Sequence, residues 1–260
     1  MSHRVNSYER RLQEIENMDV EIGRSLDWEF MEKIRMKDIF VHLLWRELTD
    51  EKGDTRFLCN PWDIALNIRE PVYAELVQEF LFTFTFKEHS PRKGDFSSHH
   101  CIEFCLFGQW FSTTLTNFAI WLGLYTKRPT EKLEYGDYMA ICDIEQPHDF
   151  SSTEALSQLG NGTYSKSDTK ASSLIDPQHR LLHRMLVHTL RQRKSITEKV
   201  LESDLWLLGQ LVDGTRFTNL PFVIATLFVN TVTPRDRDRS GLCGGQYITC
   251  LARILNLLTP

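Results

Sequence analysis

Residues 174–212 constrain the chain most, because they carry its most regular alternation of apolar and charged side chains. Asp176 precedes Pro177. Asp is a good N-cap and Pro suits the first helical position, so a helix is predicted to start here. Projected at 100° per residue, Leu181, Leu182, Met185, Leu186 and Leu190 fall on one side. Arg180, His183, Arg184, His188 and Arg191 fall on the other, interrupted only by Val187. The helix is expected to end near Arg191 to Lys194, where cations suit the negative end of its dipole. Ser195 or Ser203 then caps a second helix. Leu205, Trp206, Leu208, Leu211 and Val212 surround that helix's axis, which predicts burial, and Asp213-Gly214 is a plausible stop.

Charge singles out the same stretch. Over 174–199 the cations are Arg180, Arg184, Arg191, Arg193, Lys194 and Lys199, against Asp176 and Glu198: six minus two is +4, in a chain of net charge −5. The functional reading is a contact surface for phosphate or an acidic partner, with His183 and His188 adding charge in mild acid. The alternative is an ordinary solvated helix face.

A chain of 260 residues holds one large domain, or one domain with a helical arm. No apolar run follows a basic start, so no secretory signal is expected. The longest apolar run, 220–229, is too short to span a bilayer and contains Pro221, so it reads as a core helix. The cysteines at 59, 101, 105, 142, 243 and 250 show no disulfide-framework spacing, and an intracellular, reduced protein in cytoplasm or nucleus is expected. Asn161-Gly162-Thr163 fits a glycosylation sequon, which has no role without export.

The expected fold is mainly α with a small β-hairpin, in a single compact domain over 26–258 with an N-terminal helical arm over 1–25. A helix is predicted from Leu26 through Leu48, where Phe30, Ile34, Ile39, Leu43 and Leu44 recur at helical spacing. Another runs from Pro71 to about Phe82, burying Leu76, Val77, Phe80 and Leu81, followed by a strand over 83–87. Residues 101–114 read as a hairpin turning at Gly108-Gln109. A short helix over 115–122 follows, ended by Gly123. Residues 126–173 are rich in Pro, Gly, Ser and Thr and read as a long surface loop, most loop-like over 150–173. Gly244-Gly245 leads into a last helix bearing Ile248, Leu251, Ala252, Leu255 and Leu258.

The order of several residue blocks resembles a known family. The blocks are Ile175-Asp176-Pro177 with Arg180 to Arg184, His188 to Leu190, Lys199-Val200 and Asp204-Leu205; Arg69 to Tyr73 with Glu75 to Val77 and Glu79 to Leu81; Phe104 to Gly108 through Phe118-Ala119 to Leu122–Tyr125; and Asn219-Leu220-Pro221 with Gly245, Ile248-Thr249 and Leu251 to Arg253. Together they resemble the plant Athila-type LTR-retrotransposon family, in the C-terminal domain of its first open reading frame. They also look like the plant mobile domain. The resemblance implies a transposable-element protein, gag-like, and supplies no catalytic residues.

No candidate cluster in the sequence completes a catalytic or metal-binding constellation. Cys101 and Cys105, on a strand, share a face but lie about 13 Å apart at about 3.3 Å per residue, too far for one zinc ion. Cys243 and Cys250 are about 10 Å apart on a helix. His179 and His183 have the i,i+4 spacing of a zinc pair but lack the glutamate after the first histidine and a third ligand. Val212-Asp213-Gly214-Thr215 has the residues of an aspartic-protease loop in the wrong order, no Asp-Asp pair marks a polymerase, and no zinc knuckle is present. Gly241 to Gly245 lacks the Lys-Ser/Thr ending of a phosphate loop. The reading is a non-catalytic protein with no cofactor, metal site or small-molecule substrate and no membrane association. Its expected partners are RNA or DNA through Arg180, Arg184, Arg191, Arg193, Lys194, His183 and His188, or a second copy of itself. The competing readings are a protein–protein scaffold domain of a transposon-derived host protein and an inactive element remnant.

Overall fold

The structure, a computed structural model, describes residues 18–44, 46–49, 55–59, 61–88, 100–125, 149–193, 196–213, 218–232 and 241–258. Within these the chain is mainly α with minor β. In order the elements are β1 (Asp19–Val20), α1 (Trp28–Lys33), α2 (Lys37–Leu44), β2 (Arg46–Thr49), β3 (Thr55–Cys59), α3 (Pro61–Asn67), α4 (Ala74–Thr83), β4 (Thr85–Glu88), β5 (His100–Leu106), β6 (Gln109–Thr114), α5 (Leu115–Trp121), α6 (Ser152–Leu159), a 3₁₀ turn (Ala171–Ser173), α7 (Pro177–His188), α8 (Glu202–Asp213), α9 (Leu220–Val232), β7 (Gly241–Leu242) and α10 (Gly245–Ile254). They divide into two compact units. One contains β1, α4, β4 to β6, α5, α9, β7 and α10; the other contains α1, α2, β2, β3, α3, α6, α7 and α8.

The first unit is built around phenylalanine. Helix α4 buries Leu76, Val77, Phe80 and Leu81, a stripe at helical spacing. The Thr83 hydroxyl donates back to the Glu79 and Phe80 carbonyls, and Phe84 then turns extended into β4. The Phe80 ring lies 5.1 Å from Phe84, 4.9 Å from Phe104 and 5.0 Å from Phe228. Tilted and edge-on rings at such separations add to the stabilisation from burial alone. Strands β4, β5 and β6 form an antiparallel sheet in that order, with Ile102, Phe104 and Leu106 on its buried face. Helix α9 is apolar nearly all round and buried accordingly.

The hairpin turns at Phe107-Gly108, one residue earlier than the sequence suggests. Both residues have positive φ, 53° and 72°, as a two-residue turn between right-twisted strands demands. A phenylalanine is an unusual occupant of such a position. The Glu79 carboxylate holds the turn by accepting the Phe107 and Gly108 N–H groups, each at 2.7 Å. Burial and the neighbouring Glu79 push the Cys105 thiol up to about 11. Gly244, at φ 92°, caps α10, and a Cβ there would run into the Phe228 ring.

The second unit departs more from expectation. The helix predicted over 26–48 is two short helices, because Arg35 takes φ 57° between them, and residues 46–49 leave as β2 to pair with β3. Leu26 donates its N–H to the Leu66 carbonyl at 2.7 Å and the Trp28 indole donates to Asp63 at 3.0 Å, tying the first helix to α3. Of the expected N-terminal arm, residues 1–17 lie outside the described residues, and residues 19–20 form a strand rather than a helix. The stretch 150–173 is not simply loop: Ser151 caps α6 by accepting the Glu154 N–H, and Leu156 and Leu159 are buried. Ser151 and Glu154 have the Ser-x-x-Glu spacing of a helix start, a legible signal outweighed by the surrounding composition.

The aromatic core gives the first expected outcome. Phe80→Ala removes a ring shared by α4, β5 and α9, and should lower the unfolding free energy measured in urea by about 3–5 kcal/mol. An effect below 1 kcal/mol would show that the core collapses around the gap.

Candidate nucleic-acid interface

Helix α7 starts where the sequence places it. Asp176 is the N-cap, accepting the Gln178 N–H at 2.7 Å, and Pro177 is the first helical residue. The helix stops at His188 rather than near Arg191 to Lys194, and the chain bends back through Gln192 at φ 47°. Helix α8 starts at Glu202, so neither Ser195 nor Ser203 is its first flanking residue.

The polar stripe on α7 is not one surface. His183 is fully buried, as is Asp204 in the first turn of α8, and their Nε2 and Oδ2 atoms are 3.4 Å apart. Arg193 donates to the same Asp204 oxygen at 2.5 Å, and the Arg191 Nε lies 3.9 Å from the other. The two arginine side chains are only 14% and 17% exposed. Arg191 also donates to the Ser203 carbonyl and Arg193 to the Lys199 carbonyl. Arg180 donates to the carbonyls of Leu174 and Ile175, just before its own helix. Arg184 is 61% exposed and pairs with Glu198 at 3.2 Å. His188 is half-buried, and Lys194 lies outside the described residues. Of the seven residues expected to form a phosphate-binding stripe, only Arg184 stands in solvent among those described.

The physical reason is that helix α8 is apolar around most of its circumference yet carries Asp204 in its first turn. A buried carboxylate needs partners, and the basic side chains of the α7–α8 connection supply them. Asp204 also accepts the Leu201 N–H at 2.9 Å, the reach-back bond of a helix start. Burial, the largest influence on this carboxyl, pushes its pKa up. The hydrogen bond to His183, the charges of Arg193 and Arg191 and the Leu201 N–H outweigh it and hold the pKa below the ordinary carboxylate range.

His188 does not behave as expected either. Burial first, then the charges of Arg24, Arg184 and Arg193, press its pKa below the usual imidazole value, with Glu198 opposing. Mild acid therefore adds no early charge at this position, and His183 faces Asp204 rather than solvent.

Sequence reasoning counts Lys199 but misses Lys170, the cation it meets. Lys170 and Lys199 face each other in an isolated antiparallel bridge. The flanking bonds, Ala171 N–H to the Glu198 carbonyl at 2.7 Å and Val200 N–H to the Thr169 carbonyl at 3.0 Å, make this the non-hydrogen-bonded type of pair. Side chains are closest in such pairs, and like charges directly opposite repel. Thr169 and Val200 are buried on the other face, while Lys170 is exposed and Lys199 partly so. Neither ammonium has an ion-pair partner among the described residues. Lys166, also exposed, precedes them. The nearby Asp168 carboxyl is held below its ordinary pKa by hydrogen bonds from Ser167 and Ser165 and, less strongly, by Lys170 and Lys199. Lys170 escaped notice because it falls in the stretch read as loop.

Comparison of the chain with protein-family models, with curated proteins and with solved structures finds no match. No helix among the described residues is long and apolar enough to cross a membrane.

Asp204→Ala would leave two guanidinium groups and His183 without their shared anion, and should cost about 3–5 kcal/mol of stability in chemical denaturation. The same carboxylate sets an acid limit. Its folded pKa is lower than the 3.8 of an ordinary aspartate, so its contribution is full above that value and is lost as pH falls through the lower folded value. Asp204→Asn should flatten the loss of stability as pH falls below about 5. An unchanged acid slope would remove Asp204 from that role.

Proposed function

We propose that this chain is a non-catalytic protein of retrotransposon origin, a gag-like module that associates with nucleic acid in cytoplasm or nucleus, and that its phosphate-facing cations are Lys170, Lys199 and Arg184 rather than the whole α7 stripe. The order of the family-like blocks supports the provenance. The observation that carries the contact site is the Lys170–Lys199 bridge: two lysines set directly opposite each other, neither ion-paired among the described residues, so that a bound phosphate would offset their like charge. Arg184 is exposed and paired with Glu198, the residue next to Lys199. Arg191 and Arg193 serve the fold under this reading, and Arg180 serves the start of its helix.

A second reading, assembly through protein contacts, is favoured by Phe107 and Trp110. Both are more than half exposed at the end of the β5–β6 hairpin.

Binding to a random-sequence single-stranded RNA, titrated at several salt concentrations, separates the two. Lys170→Gln with Lys199→Gln should weaken binding and reduce the steepness of log affinity against log salt by about 1.4, from about 0.7 per phosphate contact. The thermal midpoint should stay level or rise, since a repulsion is removed. Unchanged affinity in the double variant would remove this site. No binding by the parent protein at low salt would remove the nucleic-acid reading and leave assembly as the one to pursue.

A further inference from the structure

Asn161 is followed by Gly162, the one Asn-Gly pair in the sequence. Both residues are exposed, just beyond the end of α6. Gly160 lies so close against the Ser173 carbonyl that a Cβ would not fit, and the Asn161 N–H donates to that carbonyl at 2.9 Å. The chain beyond is unhindered. Gly162 takes φ 92°, and nothing stands within 4 Å of where its Cβ would be. Its N–H has no hydrogen-bond partner among the described residues, and the Asn161 side-chain amide has none either. An electrophilic carboxamide and the backbone nitrogen that can attack it are therefore adjacent, wet and uncommitted.

We infer that Asn161 is a site of self-catalysed deamidation. Hydroxide or a buffer base removes the Gly162 N–H proton. The nitrogen attacks the Asn161 Cγ, forming a five-membered imide. The Cγ–Nδ2 bond breaks, and the nitrogen takes a proton and leaves as ammonia. Water then opens the ring. Addition at the side-chain carbonyl regenerates the normal backbone with aspartate at 161. Addition at the main-chain carbonyl leaves isoaspartate, with one extra atom in the backbone. No oxidant or cofactor is needed. Glycine matters because it has no side chain to hinder ring closure and adopts the required backbone angles freely. Both products carry a new negative charge, and isoaspartate lengthens the chain beside the Gly160–Leu174 bridge, close ahead of the Asp176 cap of α7.

The test is storage of the full-length folded protein at neutral and mildly alkaline pH, read by isoelectric focusing and peptide mapping with isoaspartate labelling. The expected result is a species one charge more negative than the formal −5, with conversion mapped to Asn161 ahead of Asn67, Asn117, Asn219, Asn230 and Asn256 and faster at the higher pH. Both aspartate and isoaspartate should form at that position. Asn161→Gln, an exposed and conservative change, should abolish the shifted species, because its side chain would have to close a larger ring. Asn161 keeping its amide, converting no faster than Asn67 or Asn230, or yielding aspartate with no isoaspartate would overturn the inference.

Discussion

One buried carboxylate organises the region richest in sequence pattern. Asp204, in the first turn of helix α8, receives Arg193, lies against Arg191 and His183, and accepts the Leu201 N–H. The partners come from the middle of α7 and from the connection that follows it, so the carboxylate fixes how the two helices meet. Arginine suits the task because its planar group holds several donors in a fixed fork and sheds water more readily than an ammonium. The same side chains would read, in a surface helix, as a site for phosphate. Here the anion they meet is part of the chain.

The contrast with Lys170 and Lys199 is instructive. Around Asp204, opposite charges gather where the dielectric is low and the interaction is strong. At the Lys170–Lys199 bridge, like charges are set opposite each other at the surface, where water weakens their repulsion. A fold tolerates the second arrangement more easily than an unpaired buried charge. That asymmetry separates cations spent on structure from cations free to meet a partner.

Much of the local architecture was legible. Asp176-Pro177 marked the start of α7, the alternation over 101–114 marked the hairpin, and the apolar run after Leu220 marked a buried helix. These are local signals, set by caps, period and turn chemistry. The candidate site was legible only in part. A helical projection places His183 opposite the apolar face, but cannot know that a second helix brings Asp204 against it. The clue lay in α8 itself: an acid set among buried apolar residues in its first turn must find a base. The short helix over 152–159 was obscured by serine and threonine, although Ser151 and Glu154 have the spacing of a helix start. The strands over 46–49 and 55–59 were missed because a helical period across 26–48 hid the change at Arg35.

The two units are interleaved along the chain rather than consecutive. Strand β1 pairs in parallel with β7, near opposite ends of the sequence, and α4 packs with α9 and α10. During synthesis the phenylalanines of α4 and the β4–β6 sheet emerge well before Phe228 on α9 can cover them. The unit containing α7 and α8 has all its elements once α8 has emerged, although it begins later than the other. Order of completion therefore reverses order of appearance, and the half-built aromatic core must wait, exposed, for the last part of the chain.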